Sequence, residues 1–203
     1  MFIRTYKTIQ RKMKKIYLII FIFFGITLNV NAETNRIISG KENAKITIIA
    51  YESLTCSHCA DFHKDIYPQL KKDFIDTGLV RIEFRHFPLD IAALNAAKIS
   101  QCKSDKSLEI LESLYSKQQE WVKGSTIEEI NDNLKKYLEK AGFEIKFEKC
   151  LNDKKIEDFV LNDRIEGVKK FKVNSTPTVI INNKKFEKTL NYKNLKKSLE
   201  KLI

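Results

Sequence analysis

Residues 46–51, Ile-Thr-Ile-Ile-Ala-Tyr, run through Glu52-Ser53-Leu54-Thr55 into Cys56-Ser57-His58-Cys59. The first six form an almost continuous apolar run rich in β-branched residues, as in a strand covered on both faces. This strand leads almost directly into a C-x-x-C. From Ser57 the period changes: Phe62, Ile66, Leu70 and Phe74 recur at every fourth position, which predicts a helix ended by Gly78 and kinked at Pro68. Val80, Ile82, Phe84 and His86 then alternate with Arg81, Glu83 and Arg85, a period-two strand signal. The opening unit is therefore strand, helix, strand, with the cysteine pair at its first junction.

Residues 90–168 read as mostly helical. Ile91, Leu94 and Ile99 can share one face, as can Leu108, Leu111 and Tyr115. Ile127, Ile130, Leu134 and Leu138 make a third stripe behind Ser125-x-x-Glu128, a capping-box pattern. Trp121 and Phe147 are expected in the core of this cluster. Beyond it, Thr178 to Ile181 reads as a strand, Asn182-Asn183 as a turn, Lys184 to Lys188 as a return strand and Asn191 to Leu202 as an amphipathic helix. The order βαβ, helices, ββα predicts one α/β domain over 33–203 that carries a helical insertion at about 90–168.

Residues 1–15 hold six basic residues and no acid, and an apolar run from Ile16 to Val30 follows, leading to Asn31-Ala32. That is a basic region, an apolar region and a cleavage site, so 1–32 is expected to be a secretory signal peptide, with an uncleaved anchor as the rival. The apolar run is shorter than the roughly 20 residues of a spanning helix. Loss of those six charges brings the formal +11 down to about +5. The remaining basic residues lie among acids, as where Lys154 and Lys155 adjoin Asp153, Glu157 and Asp158, which describes a solvated surface and not a nucleic-acid stripe. With 6 Gly and 3 Pro, the chain is also no collagen or flexible low-complexity polymer.

Export to a periplasmic or other oxidising compartment allows disulfides to persist. All four cysteines lie after Ala32: Cys56, Cys59, Cys102 and Cys150. The C-x-x-C claims one pair, and the simplest pairing joins Cys102 to Cys150 as a structural disulfide. A zinc site competes for the C-x-x-C, with His63 as a further ligand, but no second close ligand pair is present, and no metal is expected. At a strand-to-helix junction Cys56 meets the helix N-terminus, whose free N–H groups and dipole favour a thiolate. Cys59, one turn on, is placed to attack a mixed disulfide at Cys56. A purely structural disulfide in so tight a loop would stabilise little. His58, between the two, is expected to lower the Cys56 pKa as a cation or donor; an exposed histidine without a partner is the alternative. His63 and His86 read as surface or packing residues.

Thr55-Cys56-Ser57-His58-Cys59, the downstream Thr176-Pro177-Thr178 entering a strand, and the order of elements resemble the DsbA-type thiol:disulfide oxidoreductases of the thioredoxin superfamily. The resemblance covers essentially the whole chain after the signal. It implies a thioredoxin fold, a cis Thr176–Pro177 bond facing Cys56 and forming part of the substrate-binding surface, and no cofactor beyond the thiols. Proline donates no N–H, and the neighbouring backbone is then open to pairing with an extended substrate. The implied activity is oxidation of reduced or unfolded exported proteins, with reoxidation by a membrane partner of the DsbB type. Two departures stand out. Ala50 occupies the position six before the first cysteine where the family commonly has a buried acid, with Glu52 two residues on along the same strand face; and Ser57 replaces the proline of C-P-H-C. Thr176 also resembles the reductase and isomerase relatives. Those isomerases dimerise through an added N-terminal domain, for which 33–45 offers no room, so a monomer is expected. A reductase or isomerase is the alternative within redox chemistry, and a non-catalytic thioredoxin-like binding module the alternative outside it.

Overall fold

The computed structural model describes residues 35–203; the expected signal peptide at 1–32 lies outside them. Five strands form one sheet in the order β1-β3-β2-β4-β5: β1 (Ile37–Ser39), β2 (Ile46–Glu52), β3 (Val80–His86), β4 (Thr178–Ile181) and β5 (Lys184–Lys185). β2 is central, parallel to β3 and antiparallel to β4. Its alternate residues feed two separate cores. Ile46, Ile48 and Ala50 join the larger cluster, while Ile49 and Tyr51 join a smaller one with Phe87, Phe171, Val173 and Ile180. Burial on both sides is why the strand reads as one apolar run and not as an alternation.

β1 is an addition to the expected order. It pairs antiparallel with β3, Ile37 opposite Phe84, and three residues are too few to declare a period. The return strand is shorter than expected, because only Lys184 and Lys185 pair with β4. Asn182 and Asn183 both take positive φ, 44° and 66°, as a two-residue hairpin requires.

The first helical run, α1, covers 57–75 and mixes α segments (Ser57–Asp61, Tyr67–Leu70) with wider π turns (Phe62–Ile66, Lys71–Ile75). The first π turn, closed by the Tyr67 amide on the Phe62 carbonyl, comes immediately before Pro68, which has no amide to donate. Widening also takes up the drift that a four-residue repeat suffers on a 3.6-residue helix, so Phe62, Leu70 and Phe74 are all buried. Gly78 ends the run at φ +84°, where a side chain would be strained.

The insertion contains α2 (Ile91–Ser100), α3 (Ser107–Ser116), α4 (Gln118–Trp121), α5 (Ile127–Lys140), α6 (Phe147–Leu151) and α7 (Lys154–Phe171), and α8 (Tyr192–Leu199) closes the chain. Two sequence expectations change here. Ile91 is 65% exposed, and α2 packs instead through Ala93, Ala96, Ala97 and Ile99, small residues that let it approach closely. The cap of α5 is Thr126, one residue later than expected; its hydroxyl accepts the Glu129 amide, and Glu129 in turn accepts the Ser125 amide. Trp121 and Phe147 are buried. On the other face, a Cβ at Gly167 of α7 would lie 2.8 Å from Cε1 of Tyr51. Among the described residues no helix is long and apolar enough to cross a membrane.

Candidate active site

Cys56 is the N-cap of α1, in an extended conformation (φ −79°, ψ 119°) that turns the end of the β2 segment into the helix. Its amide donates to the Ser53 carbonyl, and its own carbonyl accepts the Cys59 and Ala60 amides. Cys56 and Cys59 are free thiols, the first partly exposed and the second fully buried. Thr176–Pro177 is cis, and Cys56 Sγ lies 3.4 Å from the Thr176 carbonyl oxygen, to which its protonated form donates. The site thus joins the start of α1 to the segment entering β4, which lie 120 residues apart.

The two thiols are driven apart in acidity. The Cys56 pKa falls from 9.0 to about 5: the hydrogen bond from the Cys59 thiol contributes most, burial opposes it, and the Thr176 side chain and the Cys59 and His58 amides add to the lowering. The Thr176 hydroxyl is buried, with no hydrogen-bond partner among the described residues. Burial pushes the Cys59 thiol far up, reinforced by Cys56 and by the charge of Glu52. One sulfur is a thiolate at neutral pH, and its neighbour keeps its proton.

His58 enters this arrangement differently from the sequence expectation. Its ring is 81% exposed, with Nδ1 3.6 Å from Asp61 Oδ2, and it is the backbone amide of His58 that acts on Cys56. In the first turn of a helix the amides point back toward the cap, whereas the side chain projects outward.

Beneath the cysteines lies a polar cluster that the sequence only partly signals. Glu52, 3% exposed at the end of β2, pairs at 2.8 Å with His63 Nε2 of α1. The His63 ring stacks on Tyr115 of α3, centroids 4.2 Å apart; burial, then the Glu52 charge, keeps that phenol protonated. His63 is thus a packed residue with a charged partner. Gln118 of α4 donates to the Leu54 and Cys56 carbonyls at 2.8 and 3.0 Å, fixing the loop before the helix. On the opposite side, the Thr55 hydroxyl donates to Asp90 and the Leu89 amide to Ser53 Oγ. No sequence pattern announces Gln118, which stands 62 residues from Cys56.

A groove of about 770 Å³ runs along α1 and the α3–α4 junction, with His63, Tyr67 and Tyr115 among its walls. A second, of about 600 Å³, adjoins His58, Phe62, Thr176, Pro177 and Tyr192. His86 lies away from both, buried against Gln101 at 2.9 Å, its pKa lowered to about 4 by burial and then by Arg36. Cys102 and Cys150 are joined in a disulfide that ties the segment after α2 to α6. Among the described residues no cluster of His, Cys, Asp or Glu is placed to hold a metal ion.

A protein-family model described as Thioredoxin matches residues 32–201. The crystal structure of Wolbachia pipientis alpha-DsbA1 superposes with a TM-score of 0.74 at 29% identity, covering 84% of this chain and 92% of that one. That of BdbD from Bacillus subtilis, in its oxidised form, gives 0.64 at 25% identity, covering 82% and 92%. In sequence, the chain is 28% identical over 179 residues to disulfide bond formation protein D of Bacillus subtilis (strain 168), covering 80% of this chain and 74% of that one. It is 29% identical over 161 residues to a Rickettsia bellii (strain RML369-C) protein named as a protein-disulfide oxidoreductase, spanning 78% of this chain and 61% of that relative's length.

Proposed function

The chain belongs to the thioredoxin family, and from that premise we propose that it is an exported thiol:disulfide oxidase of the DsbA type. In the oxidised protein Cys56 and Cys59 share a disulfide. A substrate thiolate attacks Cys56 Sγ, the Cys56–Cys59 bond breaks, and Cys59 leaves and takes up a proton. The substrate's second thiolate then attacks the substrate sulfur of the mixed disulfide and expels Cys56 as a thiolate. Two electrons pass from substrate to protein. The observation that carries this reading is the opposed acidity of the two thiols, Cys56 near 5 and Cys59 pushed far up. A low-pKa sulfur is the better leaving group, so the mixed disulfide opens toward oxidised substrate.

Under this proposal Thr176 and Pro177 contact the substrate beside Cys56, and Cys102–Cys150 braces the insertion. Substrates are reduced or unfolded exported proteins, and a membrane partner of the DsbB type returns the disulfide. The relatives named for disulfide bond formation support the direction of transfer. The protein acts as a monomer with one active site. Parallel assays on reduced and scrambled ribonuclease, with sedimentation for mass, test this. The expected result is rapid oxidation of the reduced substrate and poor repair of the scrambled one, both lost in Cys56→Ser. A stable dimer that repairs scrambled substrate faster than it oxidises reduced substrate overturns the oxidase reading in favour of an isomerase.

A further inference from the structure

We propose that Gln118 is a positioning residue for thiol exchange, through which the helical insertion fixes the sulfur of Cys56 at the start of α1. The proposal rests on the thiol-exchange reading and adds to it the means by which the reactive sulfur is held.

A primary amide carries two N–H donors on one nitrogen, and Gln118 commits that nitrogen to the backbone of the active-site loop, 2.8 Å from the Leu54 carbonyl and 3.0 Å from that of Cys56. The residue is buried. For the Leu54 carbonyl it is the one hydrogen-bond partner among the described residues. Between the two held carbonyls lie only the φ and ψ angles of Thr55 and Cys56, and the Cys56 amide is held in turn by the Ser53 carbonyl. Fixing these points fixes the direction of the Cys56 Cα–Cβ bond. A helix N-cap must be extended while the residues after it are helical. Cys56 meets this at φ −79° and ψ 119°, which leaves its sulfur at the N-terminus of α1 and 3.4 Å from the Thr176 carbonyl oxygen.

The amide stands on a stiff support. Gln118 opens α4, whose buried Trp121 donates its indole N–H back to the Leu114 carbonyl of α3 at 2.9 Å, and Tyr115 of α3 stacks on His63 of α1. The insertion also grips the loop through the Thr55–Asp90 and Leu89–Ser53 bonds, so each of residues 53–56 holds a hydrogen bond to it. Among these contacts only that of Gln118 reaches the cysteine itself. Placement matters here for two reasons. An error of about 1 Å at a reacting atom can cost on the order of 100-fold in rate, and a thiolate gains from the helix N-terminus only within the first turn. Loss of the amide therefore touches both the acidity of the reduced thiol and the rate at which the disulfide accepts attack.

The test compares wild type with Gln118→Met, which keeps the length of the side chain and removes both donors. Val80→Ala serves as a control for lost stability: it trims a buried side chain opposite Ile46, at the end of β2 farthest from Cys56. Alkylation of the reduced proteins against pH reads the acidity of Cys56, and stopped flow with a dithiol peptide reads the first exchange of the oxidised proteins. In Gln118→Met the alkylation midpoint, near 5 in wild type, should rise by about half a unit or more as the sulfur leaves the helix N-terminus. The first exchange should slow about 10-fold. Val80→Ala should unfold more easily and leave both readouts unchanged. A midpoint or a rate that stays at the wild-type value in folded Gln118→Met overturns the proposal, and so does Val80→Ala moving them as far, since lost stability would then suffice. In wild type the side-chain amide hydrogens of Gln118 should exchange with D₂O more slowly than those of exposed Gln119; equal exchange overturns the proposal even if no variant folds. A wild-type protein that exchanges with no dithiol overturns the oxidoreductase reading as well; an active wild type with an equally active Gln118→Met overturns the positioning role alone.

Discussion

Acidifying the reduced protein from pH 7 to 5 should remove stability that the oxidised protein never has. Cys56 ionises near 5 in the folded chain against 9.0 for an ordinary thiol. A group with a depressed folded pKa contributes fully above the unfolded value, and that contribution is lost as pH falls through the folded value. The window here runs from about 9 down to about 5. Between pH 7 and 5 linkage alone gives about 2 kcal/mol. The sulfur is only partly buried, so solvent screening brings the expected change to about 1 kcal/mol. In the disulfide form neither sulfur titrates, and the remaining ionisable groups cancel when the two redox forms are compared. Urea unfolding of both forms at pH 5, 6 and 7, the reduced one under a phosphine, measures the difference. The reduced-minus-oxidised gap should narrow by about 1 kcal/mol toward pH 5, and by less in Thr176→Val, which lacks the hydroxyl that favours the thiolate. A gap that stays constant over this range would refute the assignment of Cys56 as the thiolate.

Replacing His58 with Ala should move the pH midpoint of Cys56 alkylation less than replacing it with Pro, because only proline removes the amide that acts on the sulfur; the reverse ranking would restore the ring to that role. Cys102→Ala with Cys150→Ala opens a link across 48 residues and should cost on the order of 4 kcal/mol by loop entropy, read as a lowered denaturation midpoint with the Cys56 alkylation profile unchanged. Gly167→Ala drives a methyl against the Tyr51 ring and should cost about 1–3 kcal/mol as an overpacked helix-to-sheet contact; thermal unfolding within a degree of wild type would show that α7 shifts without penalty.

The parts of the fold legible in the sequence are those where one local pattern has one physical cause. Residues 46–51 read as a doubly covered strand because Ile48 and Ile49 do feed different cores. The C-x-x-C reads as a redox pair because a helix start follows it at once. What fails to show is whatever depends on a second element. β1 exists only by pairing with β3, and α2 turns Ile91 outward because alanines bring it closer to its neighbours than a stripe of large residues could. Gln118 reaches Cys56 across 62 residues, and no spacing encodes that.

Glu52 lies between these cases. Strand alternation from Ile46, Ile48 and Ala50 puts it on the face that meets α1, so its burial under the cysteines follows from parity alone. Cys59 and His63 are four residues apart and share a helix face, which by itself brings the imidazole beneath the second cysteine. An acid closing the strand and a histidine one turn past the second cysteine thus predict their own encounter, provided strand and helix are packed together. The strand-to-helix C-x-x-C supplies that condition. The pairing of Glu52 with His63 could therefore have been drawn from the sequence, whereas the stacking of that imidazole on Tyr115 is visible only once α3 is in place.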